Sequence, residues 1–322
     1  MTRYSRVIGT GGYLPEEVRT NEQISQTVDT SDSWIYERTG IKSRRIAAPH
    51  ETASSMAEIA ARQAIEAAAC DPDEIDLIIV ATGTPDRVYP STGCLLQKRL
   101  GIRNCVAFDV QAACSGSIFA ISIADQYIKS GAAKKVLVIG TEICSRIIDW
   151  TDRTTCILFG DGAGALLLAA SDQAGVLSTH IHSDGEYEDL LYCPNPQAAT
   201  EANKHEGGYV SMRGNEVFKV AVNTLGRIVD ETLEANNMKQ SDVDWLVPHQ
   251  ANTRIIAATA KKLKMSMDHV VLTLENQGNT SSASVLLALN EGIRDGRIQR
   301  GQVLLLEAFG AGFTWGSALI KY

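Results

Sequence analysis

The chain has 322 residues, of which 44% are hydrophobic and 21% charged, and its formal net charge is −8. That length and apolar content can fill a sizeable core, and the acidic balance disfavours non-specific binding to a phosphate backbone. Its seven cysteines include no C-x-x-C pair, which excludes a zinc-ribbon pattern and a small disulfide-stapled fold.

The opening MTRYSRVIGTGGYLP has too short an apolar run for a secretory signal, and no stretch reaches about 18 consecutive apolar residues. The expectation is a soluble protein of a reducing compartment, cytoplasmic if bacterial, with no membrane span, no nucleic-acid partner and no metal.

Taken in chain order, DPDEIDLIIVATGT (71–84) reads as a capped acidic turn followed by a buried strand. GCLLQKRLG (93–101) has a helical pattern, and Cys94 within it reads as packing. VAFDVQAACSGS (106–117) is a strand, a turn and the opening of the helix SIFAISIADQYIKSG. KKVLVIGTE (134–142) and GAGALLLAA (162–170) are strands. GDGAGAL (160–166) lacks the G-K-[ST] ending of a phosphate loop and reads as glycine turns between strands.

The second half echoes the first. KQSDVDWLVPHQAN (239–252) repeats the capped turn and strand, and VVLTLENQGNTSS (270–282) repeats the strand, turn and small hydroxyl residues opening a helix. GQVLLLEAF (301–309) and WGSALIKY (315–322) match the closing strands. The predicted class is α/β, with two pseudo-repeated βαβαβ halves, 1–172 and 173–322. They are expected to form mostly parallel sheets in a layered α/β/α/β/α body. Val106 to Cys114 and Val271 to Asn279 both span eight residues, which predicts that Cys114 and Asn279 hold matching places. Aligning Asp76 with Asp244 sets His249 opposite Ala81.

Cysteine, histidine and asparagine all follow strands, where open α/β sheets bind ligands. A cysteine among small neighbours is commonly a packing residue. Cys114, however, is predicted at a strand-to-helix turn, where a helix N-terminus favours thiolate by about 0.3–1 kcal/mol and backbone N–H groups can face an oxyanion. His249 alone could be a satisfied core histidine, and Asn279 alone a helix cap. Together the three supply a nucleophile and two hydrogen-bond donors.

DVQAACSGSIF, VPHQANTRI, GNTSSASV, FGAGFTWGSAL and SDSWIYERTGIKSRR resemble the β-ketoacyl-[acyl carrier protein] synthase III family of thiolase-fold condensing enzymes, from the N-terminus to the last residue. The resemblance implies the initiating condensation of type II fatty acid synthesis, joining an acyl-CoA starter, expected to be acetyl-CoA, to malonyl-[acyl carrier protein]. Cys114 would carry the acyl group, and His249 and Asn279 would stabilise the malonyl enolate. The backbone N–H groups of Cys114 and Ala311 would form the oxyanion hole. Trp34, Arg38, Arg153 and Asn252 match CoA-binding positions, and Tyr89 and Phe309 match the acyl pocket, with Tyr89 reaching across a homodimer interface. Arg254, Lys261 and Lys262, joined by Lys219, would form a basic dock for the acidic carrier. No permanently bound cofactor is implied. Two departures stand out: GAG, with Ala311, where the family shows three glycines, and Tyr89 where phenylalanine is usual.

Readings that compete are a related thiolase-fold acyltransferase of secondary metabolism, a cysteine thioester hydrolase with the Cys…His…Asn order, and a non-catalytic binding module.

Overall fold

The buried apolar runs become strands of two mixed sheets in the computed structural model, which describes residues 4–200 and 207–322. The first sheet takes β1 (Tyr4–Tyr13), β2 (Leu77–Ala81), β3 (Val106–Val110), β4 (Lys135–Ile143) and β5 (Asp161–Ser171), in the order β1-β5-β4-β2-β3. The second takes β6 (Val176–Ser183), β7 (Trp245–Pro248), β8 (Val303–Gly310) and β9 (Thr314–Lys321), in the order β7-β8-β9-β6.

Helices α1 (Asp32–Thr39), α2 (Ala53–Ala67), α3 (Thr92–Leu100), α4 (Gly116–Lys129), α5 (Gly214–Ala235), α6 (Thr253–Lys262) and α7 (Ser284–Arg294) pack around and between these sheets. α2 and α3 cover the outer face of the first sheet. α4 and α7 lie between the two sheets, and α5 and α6 cover the second. The five layers follow from burial. α4 carries Ile118, Ile121, Ala124 and Ile128 into the central core, and strands between two helical layers are apolar on both faces, as in Leu77–Ala81.

The sheets are not mostly parallel as predicted. β2 runs parallel to β3 and β4, and β7 parallel to β8, but β5 is antiparallel to β1 and β4, and β9 is antiparallel to β8 and β6. The closing strand of each half returns without a crossover helix, so it runs back beside its predecessor.

The internal echo is real, but its register differs from the spacing argument. The Asp76 carboxylate accepts the Lys135 N–H, and the Asp244 carboxylate accepts the Val303 N–H. Ala113 and Ser281, both at positive φ (44° and 48°), each start a 3-10 turn, and Gly116 and Ser284 each open the following helix. All four pairs are 168 residues apart. That register pairs Cys114 with Ser282, not with Asn279. The predicted strand at 270 is reduced to one bridge, Leu246 to Val270. A short helix, Leu274–Gln277, stands where the first half has β3, since the same offset sets Leu274 opposite Val106, and Asn279 lies three residues before the place equivalent to Cys114.

Candidate active site

Cys114 sits in the turn Ala113–Ser115 between β3 and α4, at the carboxyl end of the first sheet. Small neighbours are required by contact. A Cβ at Gly116 would come within 3.0 Å of the Ala81 Cβ, and one at Gly310 within 2.7 Å of the Cys114 amide nitrogen. The thiol is buried. Burial pushes it up to about 12, with the Ser281 hydroxyl pulling the other way. The expected preference for thiolate is therefore outweighed by desolvation, and the resting side chain is a thiol.

His249 immediately follows β7, its N–H donating to the Glu307 carbonyl at 2.8 Å. Its ring is 6% exposed, and burial pushes it down to about 3, so it is a neutral imidazole at working pH. Nδ1 lies 2.6 Å from the Ser284 Oγ.

Asn279 is pinned by its backbone to the 158–160 segment, donating to the Leu158 carbonyl and accepting from the Gly160 N–H, each at 2.9 Å. Gly278 permits this at φ +67, where a Cβ would meet the Leu158 carbonyl oxygen at 2.9 Å. The Asn279 Oδ1 accepts the Ser281 N–H at 2.9 Å. This leaves Nδ2 without a protein acceptor among the described residues.

These three side chains line one cavity of about 290 Å³. Phe309 shares its inner end, and Arg38, Asn252 and Arg254 lie towards its mouth. A second recess of about 150 Å³ adjoins Cys114 and is lined by Cys144, Ile147, Leu191, Cys193 and Ala311 among others. Inner groups thus present a thiol and amide and imidazole nitrogens to one cavity, and among the described residues none of them is in an ion pair.

At the mouth, the guanidinium carbons of Arg38 and Arg153 lie 4.2 and 4.9 Å from the Trp34 ring centroid. Arg153 is also held by the Asp29 carbonyl at 2.8 Å. Asn252 caps α6 through Oδ1 and donates Nδ2–H to the Arg38 carbonyl at 2.8 Å, so most of its amide is committed to structure. Lys219, Arg254 and Lys261 are exposed on α5 and α6, with the Arg254 guanidinium 4.9 Å from the Phe218 ring centroid. Lys262 departs from the expected basic face, because its Nζ is paired with Asp230 at 2.6 Å. Tyr89, expected to act across a homodimer interface, lies at the surface of this chain. It is 83% exposed and lines neither cavity of its own chain. Phe309 lines the first cavity and is absent from the second recess.

Several supporting residues were missed in the sequence. Glu142 is buried, and burial pushes its carboxyl up. It accepts from the Gly83 N–H and from the hydroxyls of Thr84, Ser281 and Ser282, at 2.8–3.1 Å. It thereby ties the Asn279 segment to the first half. Glu307, also buried in the cavity wall, is pushed up to about 8 and has one oxygen without a partner among the described residues. An acidic residue inside a run such as GQVLLLEAF is the signal that could have flagged Glu307. Ser284 is one hydroxyl in NTSSAS, and nothing local sets it apart.

The family model described as 3-Oxoacyl-[acyl-carrier-protein (ACP)] synthase III matches residues 108–185, and its C-terminal counterpart matches residues 233–322. The β-ketoacyl-[acyl-carrier-protein] synthase III of Methylococcus capsulatus is 67% identical over the full length of both chains. That of Thioalkalivibrio sulfidiphilus is 59% identical over 99% of each. Among solved structures, the 3-oxoacyl-[acyl-carrier-protein] synthase III of Aquifex aeolicus superposes with a TM-score of 0.94 at 47% identity, covering 99% of this chain and 100% of that one. The priming β-ketosynthase of the R1128 polyketide pathway gives 0.92 at 38%, covering 99% and 96%. The five-layered fold, the enclosed cysteine, histidine and asparagine, and identity that runs the whole length of its relatives agree: this chain belongs to the β-ketoacyl-[acyl-carrier-protein] synthase III family of condensing acyltransferases.

Proposed function

We propose that this chain carries out the initiating condensation of type II fatty acid synthesis through an acyl-Cys114 intermediate, with an acyl-CoA starter, expected to be acetyl-CoA, and malonyl-[acyl carrier protein]. The observation that carries the reading is the convergence of Cys114, His249 and Asn279 on one cavity whose mouth is basic. In the first half-reaction the Cys114 sulfur bonds to the acyl carbon, the CoA carbon–sulfur bond breaks, and the thiol proton leaves on CoA. In the second, the malonyl carbon–carbon bond breaks, CO2 departs, and its electron pair forms an enolate. The His249 Nε2–H and Asn279 Nδ2–H donate to the enolate oxygen. The enolate carbon attacks the acyl-cysteine and expels the Cys114 sulfur. Neutral donors suit a charge that develops only in the transition state. Decarboxylation generates the carbanion, so this route uses no catalytic carboxylate, metal or cofactor.

Backbone N–H groups of Cys114 and Ala311 serve as the oxyanion hole in this reading. Trp34, Arg38, Arg153 and Asn252 receive CoA. Arg254, Lys219 and Lys261 meet the carrier, while the Asp230 partner blunts Lys262. The exposure of Tyr89 suits a side chain that serves a second copy of the chain in a homodimer. Among the described residues no helix is long and apolar enough to cross a membrane, and a cytoplasmic setting fits acyl-CoA chemistry.

A thioester hydrolase of the papain-like order is disfavoured by hydrogen bonding. There the asparagine orients the histidine. Here the Asn279 Oδ1 accepts from Ser281, and the histidine is held by Ser284. The testing experiment incubates the protein with a panel of acyl-CoAs and reads the mass added to the Cys114 peptide, then adds malonyl-carrier and identifies the product. A stable acyl-Cys114 converted to ketoacyl-carrier is expected. Release of free acid, or no adduct with any acyl-CoA, would overturn the reading.

A further inference from the structure

We propose that Ser284 is the positioning residue that fixes the tautomer of His249, holding the ring proton on Nε2. The inference deepens the donor role given to His249 above and rests on it for its catalytic consequence.

Ser284 opens α7 and is fully buried. Among the described residues its hydroxyl oxygen has two hydrogen-bond neighbours: the His249 Nδ1 at 2.6 Å and the Gln250 N–H at 3.4 Å. A backbone N–H can only donate, so the oxygen accepts from Gln250. The hydroxyl proton then has one acceptor within reach among the described residues, the His249 Nδ1. If Nδ1 carried the ring proton, the serine hydroxyl would point its own proton at nothing in a buried site, and buried donors are nearly always satisfied. The bond bookkeeping therefore places the serine proton on the Nδ1 side and the ring proton on Nε2. Which ring nitrogen is protonated is set by the bond that the other one makes. Nε2 has no protein partner among the described residues, and His249 lines the cavity beside Cys114 and Asn279.

The backbone around the pair is fixed. The Gln250 side chain donates to the Pro248 and Val271 carbonyls and accepts from the Thr273 and Leu274 N–H groups, at 2.8–3.1 Å. The ring therefore cannot follow a drifting loop. The internal repeat supplies an independent observation. His249 and Ser284 correspond, 168 residues on, to Ala81 and Gly116. Those two also face one another, since a Cβ on Gly116 would lie 3.0 Å from the Ala81 Cβ. The fold thus brings these two positions together in both halves. In the first half both are apolar; in the second they are an imidazole and a hydroxyl in contact. The polar pair is a coupled feature of the second half, laid on a juxtaposition that the architecture provides anyway.

The test uses full-length protein with 15N-labelled histidine. The His249 signals are assigned by their loss in His249→Ala, and long-range 1H–15N correlation reads which nitrogen is protonated. Wild type is expected to carry the proton on Nε2. Ser284→Ala is expected to lose that fixed state, showing Nδ1 protonation or exchange between tautomers, with malonyl decarboxylation reduced about tenfold and acyl loading unchanged. Ser284→Cys, which keeps a weak donor, should fall between, and it serves as the readout if Ser284→Ala does not fold. A wild-type proton on Nδ1 overturns the proposal. So does a folded Ser284→Ala, or Ser284→Cys in its place, with wild-type nitrogen signals. A changed tautomer with unchanged decarboxylation would uphold the role of Ser284 and overturn the donor role of His249 instead.

Discussion

Gly310→Ala probes the nucleophile turn without touching a reacting group. The new Cβ would lie 2.7 Å from the Cys114 amide nitrogen, 3.1 Å from that of Ser115 and 3.3 Å from the Ala112 carbonyl oxygen. Ordinary carbon contacts begin near 3.4 Å, so the Cys114 turn must retreat by about 0.7 Å. All three atoms are backbone, and no side chain can rotate away to absorb the clash. The displaced group is the N–H assigned to the oxyanion hole, and a 1 Å misplacement at a reacting centre can cost about 10²-fold. Acyl loading of Cys114, followed by quenched-flow mass spectrometry, should slow by roughly 10- to 100-fold. Far-UV circular dichroism should stay native. Ala311→Gly, which removes a methyl and keeps the N–H, should load normally. A folded Gly310→Ala that loads at the wild-type rate would refute the assignment of the Cys114 amide to the reaction.

The remaining predictions concern division of labour, docking and pH. Cys114→Ala should abolish acyl-enzyme while retaining some malonyl decarboxylation. His249→Ala and Asn279→Ala should load acyl groups yet release CO2 about 10²–10³-fold more slowly, and single-turnover loading measured beside CO2 release separates the two. Arg254→Glu should raise KM for malonyl-carrier and spare loading from acyl-CoA, with the defect shrinking at high salt; equal loss in both half-reactions would assign Arg254 to structure or to the CoA site. Glu307 is pushed up to about 8 in the folded protein from an ordinary 4.5. Between those values the folded state holds a proton that the unfolded state has released, so its contribution to stability is full below about pH 4.5 and is lost as pH rises through about 8. The loss is at most about 5 kcal/mol. Glu307→Gln should flatten that decline in denaturant melts taken from pH 5 to 9, and parallel curves for the two proteins would contradict the burial argument.

Much of the outcome was legible in one dimension, because it depends on local physics. Runs such as LIIVA and VLLLEAFG are too apolar to stay in water, and DPDE and KQSD are capped turns, so strands and their starts could be read directly. Cys114 was identifiable because a thiol among glycine, alanine and serine at a strand-to-helix turn is a local pattern. His249 was singled out by its strand-end position and by motif resemblance; Asn279 rests on the resemblance, because a short helix stands where the preceding strand was expected. The Asp76–Asp244 alignment also held, since each carboxylate caps the start of the equivalent neighbouring strand in its own half.

What only the tertiary structure decided involves partners distant in the chain. Strand direction depended on the closing strands of each half returning beside their predecessors, which periodicity does not encode. The equal eight-residue spacing paired Cys114 with Asn279 because it started from Val271, but the constant offset of 168 sets Leu274 opposite Val106, and a short helix stands there in place of the strand, so spatial register overrode the count. The thiol's protonation was decided by desolvation, a property of everything packed around Cys114, which outweighs the helix terminus that the sequence could show. Lys262 looked like part of a basic face until α5 brought Asp230 to it, and Ser284 was an ordinary hydroxyl until the fold set it against a ring 35 residues away. A sequence specifies which groups need water, caps or burial; which partner satisfies each of them is fixed only when separated segments share one interior.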